Sequence, residues 1–274
     1  MQRPRHAPTH HVRTRHATET WAAASGMHAR VVGAVIMRDL QTRFGTGYFG
    51  FLLGLLIPLG HLTVAIAVTT ILGRPAPIGT DVPIFLMTGV LPFIIWLYGH
   101  RQIMQTMLQN RPLLHFPGVD VFDLFLARII VEIVTSTLVV LIVMMTLSMM
   151  GHEIYIANPT GFLIGLALSW LLGVSTGLVF GILGTMWSFA FMLGNVLGPL
   201  MWVASGVLFL ADGMPNRLRD ILVYNPLAQI IDGLRVAYFS EYWSSFYDPL
   251  LLGAIMLSLT AIGMALVPVI RKFT

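Results

Sequence analysis

Six stretches of the chain run apolar for about the length a bilayer demands: Gly50 to Leu72, Pro83 to Leu108, Val121 to Met150, Gly161 to Met186, Phe189 to Ala211 and Pro249 to Ile270. A hydrocarbon core of about 30 Å takes roughly 20 residues of α-helix to cross. Because no water there can satisfy the main chain, the pattern predicts an all-α integral membrane protein with six transmembrane helices. Ahead of the first, Met27, Val31, Val32, Val35, Ile36 and Leu40 recur at helical spacing, with Arg30, Arg38, Asp39 and Arg43 elsewhere on the wheel. That spacing predicts an N-terminal amphipathic helix over 21–45, lying in the membrane interface. The glycines of GTGYFGFLLG then permit a sharp turn into the membrane. Residues 1–20, MQRPRHAPTHHVRTRHATET, have no apolar period and predict a mobile basic cytoplasmic arm. Residues 48–274 form a single six-helix domain.

Polar residues inside the apolar stretches refine this. In the fourth, Gly161, Gly165, Ser169, Gly173, Gly177 and Gly181 recur at every fourth position. Small residues let helices approach closely in lipid, and a four-residue step drifts about 40° each time, so the ladder should meet more than one neighbour. The second stretch turns polar after Tyr98, as GHRQIMQTMLQNR, so Arg101, Gln102 and Gln105 must face protein, water or head groups. The third opens with Asp123, Arg128 and Glu132; the last two are four apart and either neutralise each other or relay protons.

Composition supports the membrane reading: of 274 residues 56% are hydrophobic and 10% charged, and the mean hydropathy is +0.81. The formal net charge of +4 reflects arginines that flank the apolar runs, which points to orientation and not to nucleic acid. Arg3, Arg5, Arg13, Arg15, Arg30, Arg38, Arg43, Arg111, Arg128, Arg271 and Lys272 all fall on one side, predicting cytoplasmic N- and C-termini. Arg74, Arg217, Arg219 and Arg235 are the exceptions. The first apolar run begins too late and is too long for a cleavable signal peptide. There is no cysteine, and the sole lysine is Lys272, which excludes a phosphate-binding GxxxxGK[ST] loop and Schiff-base chemistry. No HExxH or GxSxG pattern occurs, and the arm's histidines lack a carboxylate shell, so no metal or cofactor is expected in this chain. The spans do not repeat, which argues against an ion-coupled transporter; if the protein moves something, a partner supplies the energy.

Two segments between spans stand out. RLRDILVYNPLAQIIDGLRVAYF, Arg217 to Phe239, reads as two short amphipathic helices broken at Asn225-Pro226, each too short to span. It either dips into the outer leaflet or forms a solvated loop anchored by Tyr238, Tyr242 and Trp243. In QNRPLLHFPGVDVFDLFLAR, Pro112 and Pro117 limit any helix, while Leu113, Leu114 and Phe116 are too apolar for an ordinary loop. Rimmed by Arg111, His115, Asp120 and Asp123, they suit either a partner's groove or the inner leaflet.

Taken in order, several stretches resemble the permease subunit of bacterial polysaccharide-exporting ATP-binding-cassette systems, most closely the capsular branch of the type-2 exporters. MRDLQTRFGTGYFGFLLGLLIPL is similar to that family's entry helix and first span, and GRPAPIGTDVPIFLMTGVLPFIIW to its first outer loop and second span. GVLFLADGMPNRLRDILVYNPLAQIIDGLRVAYFSEYW resembles its segment between spans 5 and 6, so the likeness covers residues 27–274. The resemblance implies a homodimeric channel driven by two separate cytoplasmic ATPase subunits, which would bind the ATP and magnesium. It implies export of a lipid-linked acidic polysaccharide toward a periplasmic adaptor and outer-membrane export proteins. It also implies that the segment between spans 5 and 6 is a pair of short re-entrant helices at a periplasmic gate, with Arg219, Asn225, Pro226, Asp232, Arg235 and Tyr238 as gate residues. Arg217, Arg219 and Arg235 would then lie where an acidic chain or lipid phosphate passes. Arg111, Leu114, His115, Phe116, Asp120 and Asp123 are the candidates for ATPase coupling. Arg38, Arg43, Tyr48 and Arg101 are those for substrate or head-group binding, because guanidinium pairs its donors with phosphate. An O-antigen or teichoic-acid exporter, or a membrane-embedded cell-envelope transferase, stays open as an alternative.

Overall fold

A computed structural model describes the backbone of residues 21–44, 48–116 and 118–270, and the side chains of 26–42, 56–57, 59–116 and 118–270. Every regular element among them is helical. In chain order these are α1 (Trp21–Phe44), α2 (Tyr48–Ile71), α3 (Val82–Asn110) with a 3-10 turn at Arg111–His115, α4 (Val121–Met149), α5 (Pro159–Met186), α6 (Ser188–Ala204), α7 (Asn216–Leu222), α8 (Pro226–Tyr238) and α9 (Pro249–Ile270).

Local chemistry sets most of the starts. Asp81 accepts the Ile84 N–H at 3.3 Å ahead of α3, and Asn158 accepts the Gly161 N–H at 3.0 Å ahead of α5. Each is followed by a proline in the first turn, where no intrahelical N–H is needed. Asp120 and Asp123 form a reciprocal capping box at the start of α4. Asp248 accepts the N–H groups of Leu250 and Leu251 at α9.

Among the described residues, four helical segments are long and apolar enough to cross a membrane: Val82–His115, Val121–Met149, Pro159–Met186 and Pro249–Ile270. Their most apolar windows are 83% and 56% buried in α3 and α5 but only 22% in both α4 and α9. The α3–α5 pair is therefore the protein core, while α4 and α9 keep most of their apolar surface outward, as lipid permits. Within α2 the stretch Leu59–Ile71, whose side chains are described throughout, is apolar, as is the shorter helix α6.

The ladder on α5 explains the close central pair. A methyl added at Gly173 would lie 2.9 Å from the Trp96 carbonyl oxygen, at Gly177 2.7 Å from Ile103 Cβ, and at Gly181 2.9 Å from the Met104 carbonyl oxygen, all on α3. Nearer the start of α5 the ladder faces α8 instead, with Gly165 meeting Leu234 at 3.2 Å and Gly161 meeting Ala237 at 3.1 Å. The drift around the helix thus serves two neighbours, as its spacing predicts.

The fifth apolar stretch needs correction. It was expected to run as one span to Ala211, but α6 stops at Ala204 after 17 residues, about 25 Å at the usual rise. Gly206 takes a φ of +71°, and the next carbonyls turn aside to a side chain of α8.

Candidate functional site

At one end of the bundle, α1 lays an apolar stripe of Val32, Val35 and Ile36 against α4, and Asp39 falls on that stripe one turn later. Asp39 is only 3% exposed, and its Oδ2 faces Arg128 Nε of α4 at 3.4 Å. Arg128, equally buried, also donates to Gln102 Oε1 of α3 at 3.3 Å and to Gln109 Oε1. These partners come from α1 and α3, and Glu132, one turn along α4 from Arg128, is 1% exposed. Arg38 donates to Asn110 Oδ1 at 3.0 Å. Together Arg38, Asp39, Thr42, Gln102, Gln109, Asn110 and Arg128 line a cavity of about 360 Å³.

Of the other head-group candidates, Arg101 sits apart from this cavity, its guanidinium against Gly198 of α6, where an added methyl would be 3.2 Å from a terminal nitrogen. The side chains of Arg43 and Tyr48 lie outside the described residues, as does the arm 1–20. Among the described residues no cluster of three or more metal-ligating side chains occurs.

The turn from α3 to α4 is less open than its sequence suggests. Leu113 and Leu114 pack with Val32, Val35, Leu124 and Ala127, which joins the turn to α1. Phe116 stays 61% exposed beside a cleft of about 230 Å³ between the turn and α1, flanked by exposed Arg111 and His115. Asp123 is not a rim residue: it is 1% exposed, accepts the Asp120 N–H at 3.1 Å and lies 2.8 Å from His28 Nδ1. Asp120 is the half-buried cap of α4. The helix start and His28 thus take up the Asp123 carboxylate, whereas Asp120 keeps part of its surface at the turn.

At the other end, α7 and α8 break at Asn225-Pro226 as read from sequence. Asn225 accepts the Leu227 and Ala228 N–H groups at 3.0 and 3.3 Å, and its Nδ2 donates to the Ala204 carbonyl and Ser205 Oγ, both at 3.0 Å. One amide therefore caps α8 and ties it to the end of α6, with Pro226 supplying the first helical residue. Gln229, fully buried, donates to the Val223 and Phe246 carbonyls and accepts the Asp248 N–H, so it joins both flanks of α8.

Arg235 departs from expectation. It was placed where substrate passes, yet it is 1% exposed and donates to the Phe209 and Val207 carbonyls at 2.8 and 3.0 Å. Its guanidinium lies 4.3 Å from the Phe85 ring centroid, and Gly89 leaves room for it: a methyl there would be 2.9 Å from Arg235 and 2.4 Å from the Val207 oxygen. Two of its donor groups are thus committed to the main chain of the loop after α6, a job that burial makes demanding. Asp232 is also buried and accepts the Tyr242 hydroxyl at 2.8 Å. Tyr238 packs on Phe162 and Phe239. Arg219, by contrast, is at the surface end, bonded to Ser245 and 3.4 Å from Asp212, with Arg217 exposed nearby.

Sequence reasoning missed Asp39, Asn110, Gln229 and Gly89. Only Asp39 left a local signal, being four residues after Val35 and seven after Val32 on the apolar stripe.

Comparison with known proteins follows the same outline. The chain is 27% identical over 248 residues, 89% of its length and 95% of the relative's, to the polysialic acid transport protein KpsM of Escherichia coli. It is 26% identical over 261 residues, 94% of its length and 97% of the relative's, to the capsule polysaccharide export inner-membrane protein CtrC of Neisseria meningitidis serogroup B. Similarity to the capsule polysaccharide export inner-membrane protein BexB of Haemophilus influenzae covers 231 residues at 24% identity, 81% of this chain and 84% of the relative. No family model matches. These similarities bear out the resemblance to capsular polysaccharide export permeases.

Proposed function

We propose that this chain is the channel-forming permease of an ATP-driven exporter that moves lipid-linked capsular polysaccharide across a bacterial inner membrane. The observation that carries the reading is similarity along nearly the whole chain, end to end with the capsule-export relatives and not confined to one motif. Helix order supports it: α2, α3, α4, α5, α6 and α9 correspond to the six apolar stretches, and α7–α8 fill the gap before the last. In this reading all six cross the bilayer, both termini are cytoplasmic, and α7–α8 sit at the periplasmic gate. Two copies form the channel, two ATPase subunits bind ATP and magnesium on the cytoplasmic side, and an adaptor with outer-membrane proteins receives the chain. Half-buried Asn225 and buried Asp232, Arg235 and Tyr238 then shape the gate from within, while Arg217 and Arg219 are its surface charges.

Energy enters at the α3–α4 turn, where Phe116 is the exposed apolar residue beside α1. Tagged permease co-expressed with the ATPase encoded beside it should purify as a complex of two copies of each. Deleting the permease gene should leave acidic polysaccharide inside the cell and none on its surface. Phe116→Asp should release the ATPase while the permease still inserts. Permease that purifies alone beside an abundant ATPase, or a deletion strain with normal surface polysaccharide, would refute the reading.

A further inference from the structure

We propose that the cavity between α1, α3 and α4 is a binding site for the phosphate of an anionic phospholipid head group. The argument starts from Asn110, which is 1% exposed and lines the cavity. Its Oδ1 faces Arg38, and since arginine can only donate, that contact fixes the amide's orientation and leaves Nδ2 as the other atom. Nδ2 is buried and has no acceptor among the described residues. A buried amide N–H without an acceptor is costly, so the site calls for one supplied from the cavity.

Charge points the same way. Asp39 is matched by Arg128 at 3.4 Å, whereas Arg38 has no carboxylate partner among the described residues. The lining itself holds two guanidiniums and one carboxylate, with buried Glu132 behind it on α4, and the planar fork of Arg38 suits a phosphodiester. Position selects the source of that anion. Arg38 stands on the helix expected in the interface, and the cavity opens past Thr42 and Gln109, both exposed, where α3 has changed from apolar to polar. Lipid phosphates are concentrated at that depth. A lining without aromatic rings offers nothing to a quaternary ammonium, so an anionic head group is favoured over a choline one. The occupant is a resident lipid that bridges α1 to α3. This inference rests on the membrane reading of the chain and is independent of which cargo is exported.

Native mass spectrometry of the purified full-length permease, with its ATPase if the two co-purify, tests this. In mixed phosphatidylglycerol and phosphatidylcholine nanodiscs the wild type should retain phosphatidylglycerol preferentially. Asn110→Asp is nearly isosteric, keeps an acceptor for Arg38, removes the free donor and adds a negative charge that repels a phosphate. It should lower that retention on the order of tenfold, the effect of losing one charge-assisted hydrogen bond. Arg38→Gln should do the same and serves if Asn110→Asp fails to fold. Arg30→Gln, an exposed charge on the same helix, should change nothing. Undiminished retention by Asn110→Asp or Arg38→Gln overturns the proposal. So does equal loss in Arg30→Gln, which would mean bulk charge, or equal thermal stabilisation by millimolar inorganic phosphate, which would mean a site for free anions. Exporter failure alone would leave these lipid readouts intact.

Discussion

Arg128 and Arg235 are both buried, 3% and 1% exposed, but they are held by different kinds of partner. Arg128 reaches side chains of α1 and α3, namely Asp39, Gln102 and Gln109, around a cavity of about 360 Å³. Arg235 reaches main-chain carbonyls of Val207 and Phe209 and an aromatic face, packed so closely that Gly89 has no room for a methyl. Side-chain partners can rotate and exchange with water; main-chain partners cannot move without moving the loop. The α1 end is thus held by contacts that can exchange, and the α8 end by contacts fixed to the main chain. In the exporter reading proposed above, the exchangeable contacts would lie beside Phe116 and the fixed ones beneath α7.

The sharpest way to break that comparison is to remove each guanidinium in turn. Arg235→Gln leaves two buried carbonyls short of donors and should cost about 3 kcal/mol or more. Arg128→Gln should cost about 1–2 kcal/mol, because water can enter its cavity and replace the lost donors. Thermal midpoints of the two purified variants in one detergent check the order. Surface polysaccharide should fall in Arg235→Gln together with protein level, the mark of a structural and not a substrate-contacting residue. Equal midpoints would mean that the α1 end is as rigid as the other.

Asn225→Ala asks whether the rigidity extends to the start of α8. Losing a cap costs about 1–2 kcal/mol, and here the same amide also holds Ala204 and Ser205 of the preceding segment. Asn158→Ala removes a cap on α5 with one bond to its own first turn and should cost about 1 kcal/mol. If the two variants melt together, the link from α6 to α8 adds nothing.

What could be read from the chain divides along similar lines. Apart from the end of α6, the helix bounds, the Asn225-Pro226 break and the Gly161-to-Gly181 ladder follow from local rules: span length, a missing N–H, and a four-residue period. The partners of the arginines were not legible. Arg128 lies four residues from Glu132, which suggests a local pair, and nothing in that spacing announces its further contacts to Asp39, Gln102 and Gln109, far away in sequence. Arg235 among aromatics reads as a surface cation, because nothing in residues 226–239 announces the two carbonyls at 207 and 209. Asp123 reads as an exposed rim charge until its capping bond and His28 are seen. Side-chain bonds across helices depend on three-dimensional register, which one-dimensional patterns do not carry.

The smallest expected effect tests the surface side of the rigid end. The Tyr242 hydroxyl donates to buried Asp232 at 2.8 Å, and burial first, then the Asp232 charge, push its pKa well above the usual value near 10. The folded chain therefore holds this proton more tightly than the unfolded chain, which gives it up near pH 10. Its contribution is fully present below that pH and is lost as pH rises from about 10 toward the folded-state value. Tyr242→Phe should cost about 1 kcal/mol at neutral pH, for one hydrogen bond to a carboxylate. Above about pH 10 the wild type should lose stability more steeply than Tyr242→Phe, so the gap between them narrows. Tyr247, also raised by burial, keeps part of the slope in both proteins. Arg128→Gln should keep the full wild-type slope, since no tyrosine lines its cavity. A melting series across that pH range is the measurement; parallel curves for wild type and Tyr242→Phe would remove Tyr242 from the set of bonds that holds α8 in place.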